Sequence, residues 1–97
     1  MSGTLSSSTI VARKSGLIES EVDREIVALN IESGVCYGLN EVGSRIWGLL
    51  AEPVPISEVC AILISEFEVE RDTCEREVID LIEHLLKEGL VTAVDSK

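Results

Sequence analysis

The sequence predicts an α+β fold in which a three-stranded antiparallel sheet is followed by three helices. Two observations predict it. Up to Asn40, apolar and polar residues tend to alternate, the period of half-buried strands; beyond it, apolar residues recur every three or four positions, as in helices. The change of period falls near the only Tyr and the only Trp, Tyr37 and Trp47. We expect these two rings to anchor the core.

Three runs in the N-terminal half predict the strands of an antiparallel meander. Residues 18–22 alternate, and an Asp-Arg pair forms a tight turn into the apolar run 26–31, which we expect at the centre of the sheet. A short loop ending in Gly34, where we expect a positive φ, returns the chain into residues 35–39. Because each run follows the last through a short connection, the order in the sheet is expected to be one, two, three.

The two ends of the chain are predicted with less regular structure. Residues 1–8 are small and polar and predict a disordered lead-in, which leaves a single domain over residues 9–94. Residues 9–12 either add a short strand or lie across the sheet. Residues 90–94 are expected to return as an extended tail against the core.

Capping residues predict where the three helices begin and end. Asn40 is placed to cap the first helix and Ser57 the second, because their side-chain oxygens accept from first-turn backbone N–H groups. The third helix is expected to start at Asp72, with Glu75 reaching back as in a capping box. Gly89 is expected to end that helix.

The charge balance limits the classes of partner. Eighteen acidic residues against eight basic ones give a formal net charge of −10, which repels phosphate backbones and disfavours nucleic-acid binding. No apolar run is long enough to span a membrane, and the N-terminus lacks the features of a signal peptide. We therefore expect a cytoplasmic protein without nucleic-acid or membrane partners.

The sequence contains no recognisable catalytic or cofactor motif. His84 is the only histidine, and both common nucleotide-binding glycine motifs are absent, so we expect neither an enzyme nor a cofactor. Cys36, Cys60 and Cys74 have spacings that fit neither disulfide frameworks nor zinc sites, and all three are predicted to be small buried residues. A non-catalytic binding module is favoured, with a winged-helix nucleic-acid-binding or regulatory protein and a small redox or metal protein as alternatives.

The last strand of the predicted meander is a candidate binding edge. Residues 35–39 carry neither Lys nor Pro, the residues that usually protect an exposed strand edge, and Gly38 leaves room for an incoming strand. The alternative is that the N-terminal segment or a helix covers this edge. The third helix is also apolar over more than one stripe, which predicts either deep burial or a groove beside the edge strand.

A resemblance to a known family rests on the pattern Leu-Asn-x-x-Gly-x-x-Ile-Trp at residues 39–47. With Gly34 to Gly38 before it, this pattern resembles the PqqD-like family, the recognition elements of ribosomally made, post-translationally modified peptides (RiPPs). The chain looks most like the stand-alone members of lasso-peptide pathways. The likeness covers residues 17–91, with Cys36 as a departure from the usual residue types.

The resemblance implies a winged-helix-like fold that binds the leader of a precursor peptide. The leader would add as a strand beside residues 35–39 against the third helix, and the complex would present the precursor to a separate, transglutaminase-like leader peptidase and a cyclase. Lasso-type leaders carry a Tyr and a Pro as anchors. The candidate peptide-binding residues are Val35, Cys36, Tyr37, Gly38, Leu39, Glu75, Val78, Ile79, Leu81, Ile82 and Leu85.

Overall fold

The main sheet of the molecule is the predicted meander. The computed structural model describes residues 5–6 and 8–94. Strands β2 (Ile18–Val22), β3 (Glu25–Asn30) and β4 (Val35–Leu39) pair antiparallel in the order β2-β3-β4. The central position of β3 and the edge position of β4 are therefore as predicted.

Both hairpin connections contain residues with a positive φ. Asp23 and Arg24 adopt φ values of 55° and 67°, the two positive angles of a type I′ turn, which matches the twist of the strands it joins. Gly34 ends the second loop with a φ of 75°, as expected for the one glycine of that loop.

Three helices follow the main sheet, which confirms the predicted fold class. They are α1 (Glu41–Leu49), α2 (Ile56–Glu66) and α3 (Arg71–Lys87). Helices α2 and α3 pack against each other, and α1 packs on β3 and β4. Helix α1 thus covers part of one face of the main sheet, and one core cluster joins Ala28 and Leu39 of that sheet with residues of all three helices.

The helix starts were predicted correctly only for α1. The Asn40 side chain accepts from the Gly43 backbone N–H at 2.8 Å, as expected for a cap. Helix α2 begins one residue before Ser57, and Pro55 occupies its N-cap position without a side-chain hydrogen bond. The start of α3 likewise has no side-chain cap. The predicted caps at Ser57 and Asp72 are wrong because each lies inside its helix.

Helix α3 ends in a Schellman motif at the predicted glycine. Gly89 has a φ of 76°, its N–H donates to the Leu86 carbonyl, and the Leu90 N–H donates to the Leu85 carbonyl. The Asn30 side-chain amide, at the end of β3, donates to the Gly89 carbonyl at 3.2 Å. The end of α3 is therefore tied to the hairpin that carries β4.

A second three-stranded sheet was not predicted. Strand β1 (Ile10–Arg13) lies between β5 (Val54–Pro55) and β6 (Val91–Val94), antiparallel to both. The short segment before α2 and the expected tail are thus both strands. Both pair with β1, which lies more than forty residues away in sequence, so no local sequence pattern predicts the pairing.

Only part of the predicted lead-in can be compared with the structure. Residues 1–4 and 7 of that segment lie outside the described residues, as do residues 95–97. Leu5 is buried in the core cluster, and the Ser6 N–H donates to Thr9 Oγ1 at 3.0 Å. Leu5 thus packs in the core rather than standing apart from the domain.

Trp47 lies at the centre of the core, as predicted. Its side chain is 1% exposed, and its indole N–H donates to a Glu19 carboxylate oxygen at 2.9 Å. The same carboxylate accepts from Arg13 at 2.6 Å, and the Arg13 guanidinium lies 5.4 Å from the centre of the indole. The three side chains connect β1, β2 and α1.

We predict that Trp47→Ala lowers the free energy of unfolding by about 3–5 kcal/mol, because it leaves a large cavity and removes one of the two partners of Glu19. Urea unfolding followed by circular dichroism measures the change. Val22→Ala is the control, because Val22 is 67% exposed and its truncation should cost less than about 0.5 kcal/mol. Equal unfolding midpoints for the two variants would contradict the anchoring role of Trp47.

Candidate functional site

Strand β4 leaves one edge of the main sheet open. The backbone N–H and C=O groups of two β4 residues point outward at that edge. Antiparallel pairing turns successive residues toward alternate sides. The Asn30 carbonyl accepts from the Gly34 N–H across the hairpin, so Asn30 and its partner Val35 face each other. By alternation Cys36 and Gly38 turn their N–H and C=O groups outward, where the described residues contain no paired strand.

An apolar groove lies beside this edge. Its volume is about 370 Å³, and its walls come from β4, the first turns of α1, the end of α2 and the N-terminal half of α3. The lining residues are Tyr37, Gly38, Leu39, Asn40, Val42, Gly43, Ile46, Leu63, Phe67, Val69, Cys74, Glu77, Val78 and Leu81.

The junction of β4 and α1 is held by a hydroxyl group. Ser44 Oγ accepts from the Ile26 N–H at 2.8 Å and donates to the Leu39 carbonyl at 3.2 Å, so it bridges the ends of β3 and β4. A Cβ atom on Gly43 would lie 3.2 Å from Asn40 Oδ1 and from Leu39 Cδ2. Glycine at this position therefore allows the first turn of α1 to approach the strand end closely.

The structure divides the predicted site residues into three groups. Those that line the groove are Tyr37, Gly38, Leu39, Val78 and Leu81. Those that lie on β4 or α3 outside the groove are Val35, Cys36, Glu75 and Ile79. Ile82 and Leu85 are fully buried in the core. They share one face of α3 with Val78, but they lie further along the helix than Leu81, the last α3 residue that lines the groove.

Several groove residues were not predicted from the sequence. Val42 and Val69 line the groove while remaining 41% and 39% exposed, and Phe67 lines it as well. Val69 stands alone between Glu68 and Glu70, and an isolated apolar residue in an acidic loop is the signal that would have marked it. No comparable signal marks Phe67, whose helical spacing equally fits the core.

The electrostatic character of the groove is neutral to acidic. The described residues that line it include one charged side chain, Glu77, and no Lys or Arg. Beside the groove, Arg45 of α1 makes two hydrogen bonds to Glu66 of α2, at 2.8 and 2.7 Å. This pairing raises the pKa of Arg45 and lowers the pKa of Glu66. It joins the two helices whose ends shape the groove.

The three cysteines differ in exposure, which corrects the prediction that all are buried. Cys60 and Cys74 are buried at the contact of α2 and α3, whereas Cys36 is exposed on β4. Burial raises the pKa of the Cys60 thiol to about 11 and also raises the pKa of Cys74. Cys36 is exposed because its side chain alternates to the outer face of the sheet, opposite the helices.

Within the described residues, neither a metal-binding cluster nor a membrane-spanning helix is present. No group of three or more His, Cys, Asp or Glu side chains is arranged to hold a metal ion within the described ranges. None of the helices there combines the length and apolar character that crossing a bilayer requires.

Comparisons with known proteins identify the family. The model of the PqqD family, described as coenzyme PQQ synthesis protein D, matches residues 25–91. This match spans more than half of the sequence, and it includes β3, β4 and all three helices. The chain therefore belongs to the PqqD family.

Two solved structures share the fold over most of their length. One is described as TbiB1 in complex with the TbiA(beta) leader peptide; it is 30% identical, with a TM-score of 0.79 over 88% of this chain and 99% of that one. The other is a lasso peptide synthetase B1 complexed with the leader peptide, 27% identical, with a TM-score of 0.74 over 84% and 96%. No curated protein sequence gives a significant match.

We predict that a thiol reagent labels Cys36 alone in the folded protein at mildly alkaline pH. The thiolate is the reactive form, and burial both shields Cys60 and Cys74 and raises their pKa, which lowers their thiolate fraction. Mass spectrometry after iodoacetamide treatment should show one modified site, and all three after denaturation. Cys36→Ser is the control and should abolish labelling of the native state. Native labelling of Cys60 would contradict the placement of α2 against α3.

Proposed function

We propose that the chain is a RiPP recognition element that binds the leader of a precursor peptide of the lasso type. The leader lies as an added strand along β4, and its side chains enter the groove between β4 and α3. The observation that carries this proposal is the open edge of β4 directly beside an apolar groove of about 370 Å³.

The edge and the groove contribute differently to binding: the edge pairs with the peptide backbone, and the groove selects its side chains. The outward N–H and C=O groups of Cys36 and Gly38 provide backbone pairing, which any extended peptide satisfies. The groove selects among peptides because only apolar side chains gain from leaving water there. Rigid ring side chains such as Tyr and Pro suit this groove, since they lose little rotamer entropy on binding.

The family and the two relatives support a leader as the ligand. Both relatives are described as complexes with leader peptides, and both match this chain over nearly their whole length. We propose that the bound leader presents the precursor to a separate, transglutaminase-like leader peptidase and to a cyclase. In this role the chain is not catalytic, and cleavage of a precursor by the purified chain alone would contradict it.

The probe for the binding mode is a peptide selected on the wild-type chain from a displayed library of random 20-residue peptides. Its consensus should recur in the N-terminal half of a short reading frame encoded near the gene of this chain. A consensus that matches no such reading frame would argue against a leader as the natural ligand. Peptide binding to the β4 edge is tested separately, by hydrogen exchange.

We predict that the selected peptide slows hydrogen exchange at the backbone amides of Cys36 and Gly38. These two N–H groups face solvent in the free edge, whereas those of Tyr37 and Leu39 already face β3. Amide-resolved exchange by NMR, with and without saturating peptide, measures the change. Unchanged exchange at Cys36 and Gly38 in the complex would show that the peptide does not add as a strand.

Two proline substitutions, one on each edge of the main sheet, provide a matched test of binding along β4. Gly38→Pro removes an outward N–H from the β4 edge and should abolish peptide binding. Glu21→Pro removes an outward N–H from β2, the opposite edge of the same sheet, and should leave binding unchanged. Both variants are compared at temperatures where circular dichroism shows them folded.

We predict that Leu81→Ala weakens binding of the selected peptide by about 1–2 kcal/mol, or roughly 5- to 30-fold in Kd, because it removes apolar surface from the groove wall. Leu86→Ala is the control, since Leu86 is a half-buried leucine of the same helix that does not line the groove. Isothermal titration calorimetry measures both affinities. Equal losses for the two variants would place the binding surface elsewhere.

A further inference from the structure

Glu77 is the charged member of an otherwise uncharged groove wall. Helix α3 turns four residues toward the groove, Cys74, Glu77, Val78 and Leu81, at the spacing of one helix face. Three of them are apolar, and Glu77 stands among them. The Glu77 side chain is exposed when the groove is empty, so it does not contribute to the buried core of the fold.

Glu77 also differs from the other acids of α3 in its neighbours on the helix. Each of the others has a basic residue four positions away, within one helical turn, although none of these pairs closes to 4.0 Å in the described structure. These pairs are Asp72 with Arg76, Glu75 with Arg71, Asp80 with Arg76, and Glu83 with Lys87.

The corresponding neighbours of Glu77 offer no compensation. Positions three and four residues away hold Thr73, Cys74, Asp80 and Leu81, so the nearest charge on the same face has the same sign. Glu77 takes part in none of the ion pairs between described residues. Its charge is therefore uncompensated at the place where a ligand would cover it.

We infer that the peptide segment recognised by the groove carries a Lys or Arg side chain opposite Glu77, flanked by apolar residues that fill the groove. The inference rests on the proposed function. A peptide that covers the groove removes water from the carboxylate, and an unpaired charge in that setting opposes binding. A cation on the peptide offsets this cost, and the net charge of −10 attracts it from a distance.

The first test compares peptides selected from the random library on the wild-type chain and on Glu77→Lys. Wild type should enrich Lys or Arg at one fixed position relative to the apolar anchors, and Glu77→Lys should enrich Asp or Glu there. Glu83→Lys, the same charge change at an exposed α3 residue outside the groove, should leave the consensus as in wild type. The same consensus on wild type and on Glu77→Lys would overturn the inference.

The second test measures the pairing with one selected peptide and its Lys→Met variant. Glu77→Gln should weaken binding of the Lys peptide roughly three- to tenfold at low salt and flatten its salt dependence. It should have little effect on the Met peptide. If Glu77 instead accepts from a neutral donor such as a Tyr hydroxyl, Gln retains an acceptor, the salt dependence does not change, and the inference is overturned.

Failure of this inference is distinguishable from failure of the proposed function. If no peptide is enriched on the wild-type chain, or the enriched peptide leaves the Cys36 and Gly38 amides unprotected, both are overturned. If the peptide protects those amides but its affinity and consensus do not depend on Glu77, peptide binding stands and the charge recognition alone is overturned. Circular dichroism and thermal midpoints equal to wild type establish that each Glu77 variant is folded.

Discussion

The Ser44 hydroxyl holds the junction on which the candidate site depends. It joins the Ile26 N–H to the Leu39 carbonyl and so closes the end of the β3-β4 ladder from the side of α1. Burial makes this bridge necessary, since without it a backbone donor would lose its partner away from water. The bridge fixes the Leu39 end of the ladder, and the alternation along β4 turns the amides of Cys36 and Gly38 toward the open edge.

The opposite wall of the groove is positioned through the same hairpin. The Asn30 side chain accepts from the Glu32 N–H within the loop and donates to the Gly89 carbonyl at the end of α3. Helix α3 is thus anchored at its C-terminus to the connection that leads into β4, and β6 continues from that anchor to pair with β1. A groove between β4 and α3 therefore has walls that share one attachment, which favours a preformed binding surface over one assembled by the ligand.

Local patterns predicted the main sheet, both of its turns, the Asn40 cap, the Gly89 stop and the burial of Trp47, because each depends on residues close in sequence. The second sheet was not predictable in this way, since it joins segments that are distant along the chain. The lining of the groove was predicted in part for the same reason. Helical period identified the apolar face of α3 but not how far along that face the groove extends, so Ile82 and Leu85 were included with Val78. Phe67 and Val69 were missed because they come from a different part of the chain.

An open strand edge without Lys or Pro could pair with the same edge of a second copy, and the negative charge of the chain opposes this self-association. Two copies that met edge to edge would each bring a formal charge of −10. At physiological salt this repulsion acts over about 8 Å, which is longer than the roughly 4.8 Å between paired strands. A neutral or basic peptide meets no such barrier. The acidic composition that argues against nucleic acid thus also discriminates between a second copy of the chain and a peptide ligand. Backbone pairing alone makes no such distinction, because it is the same for both.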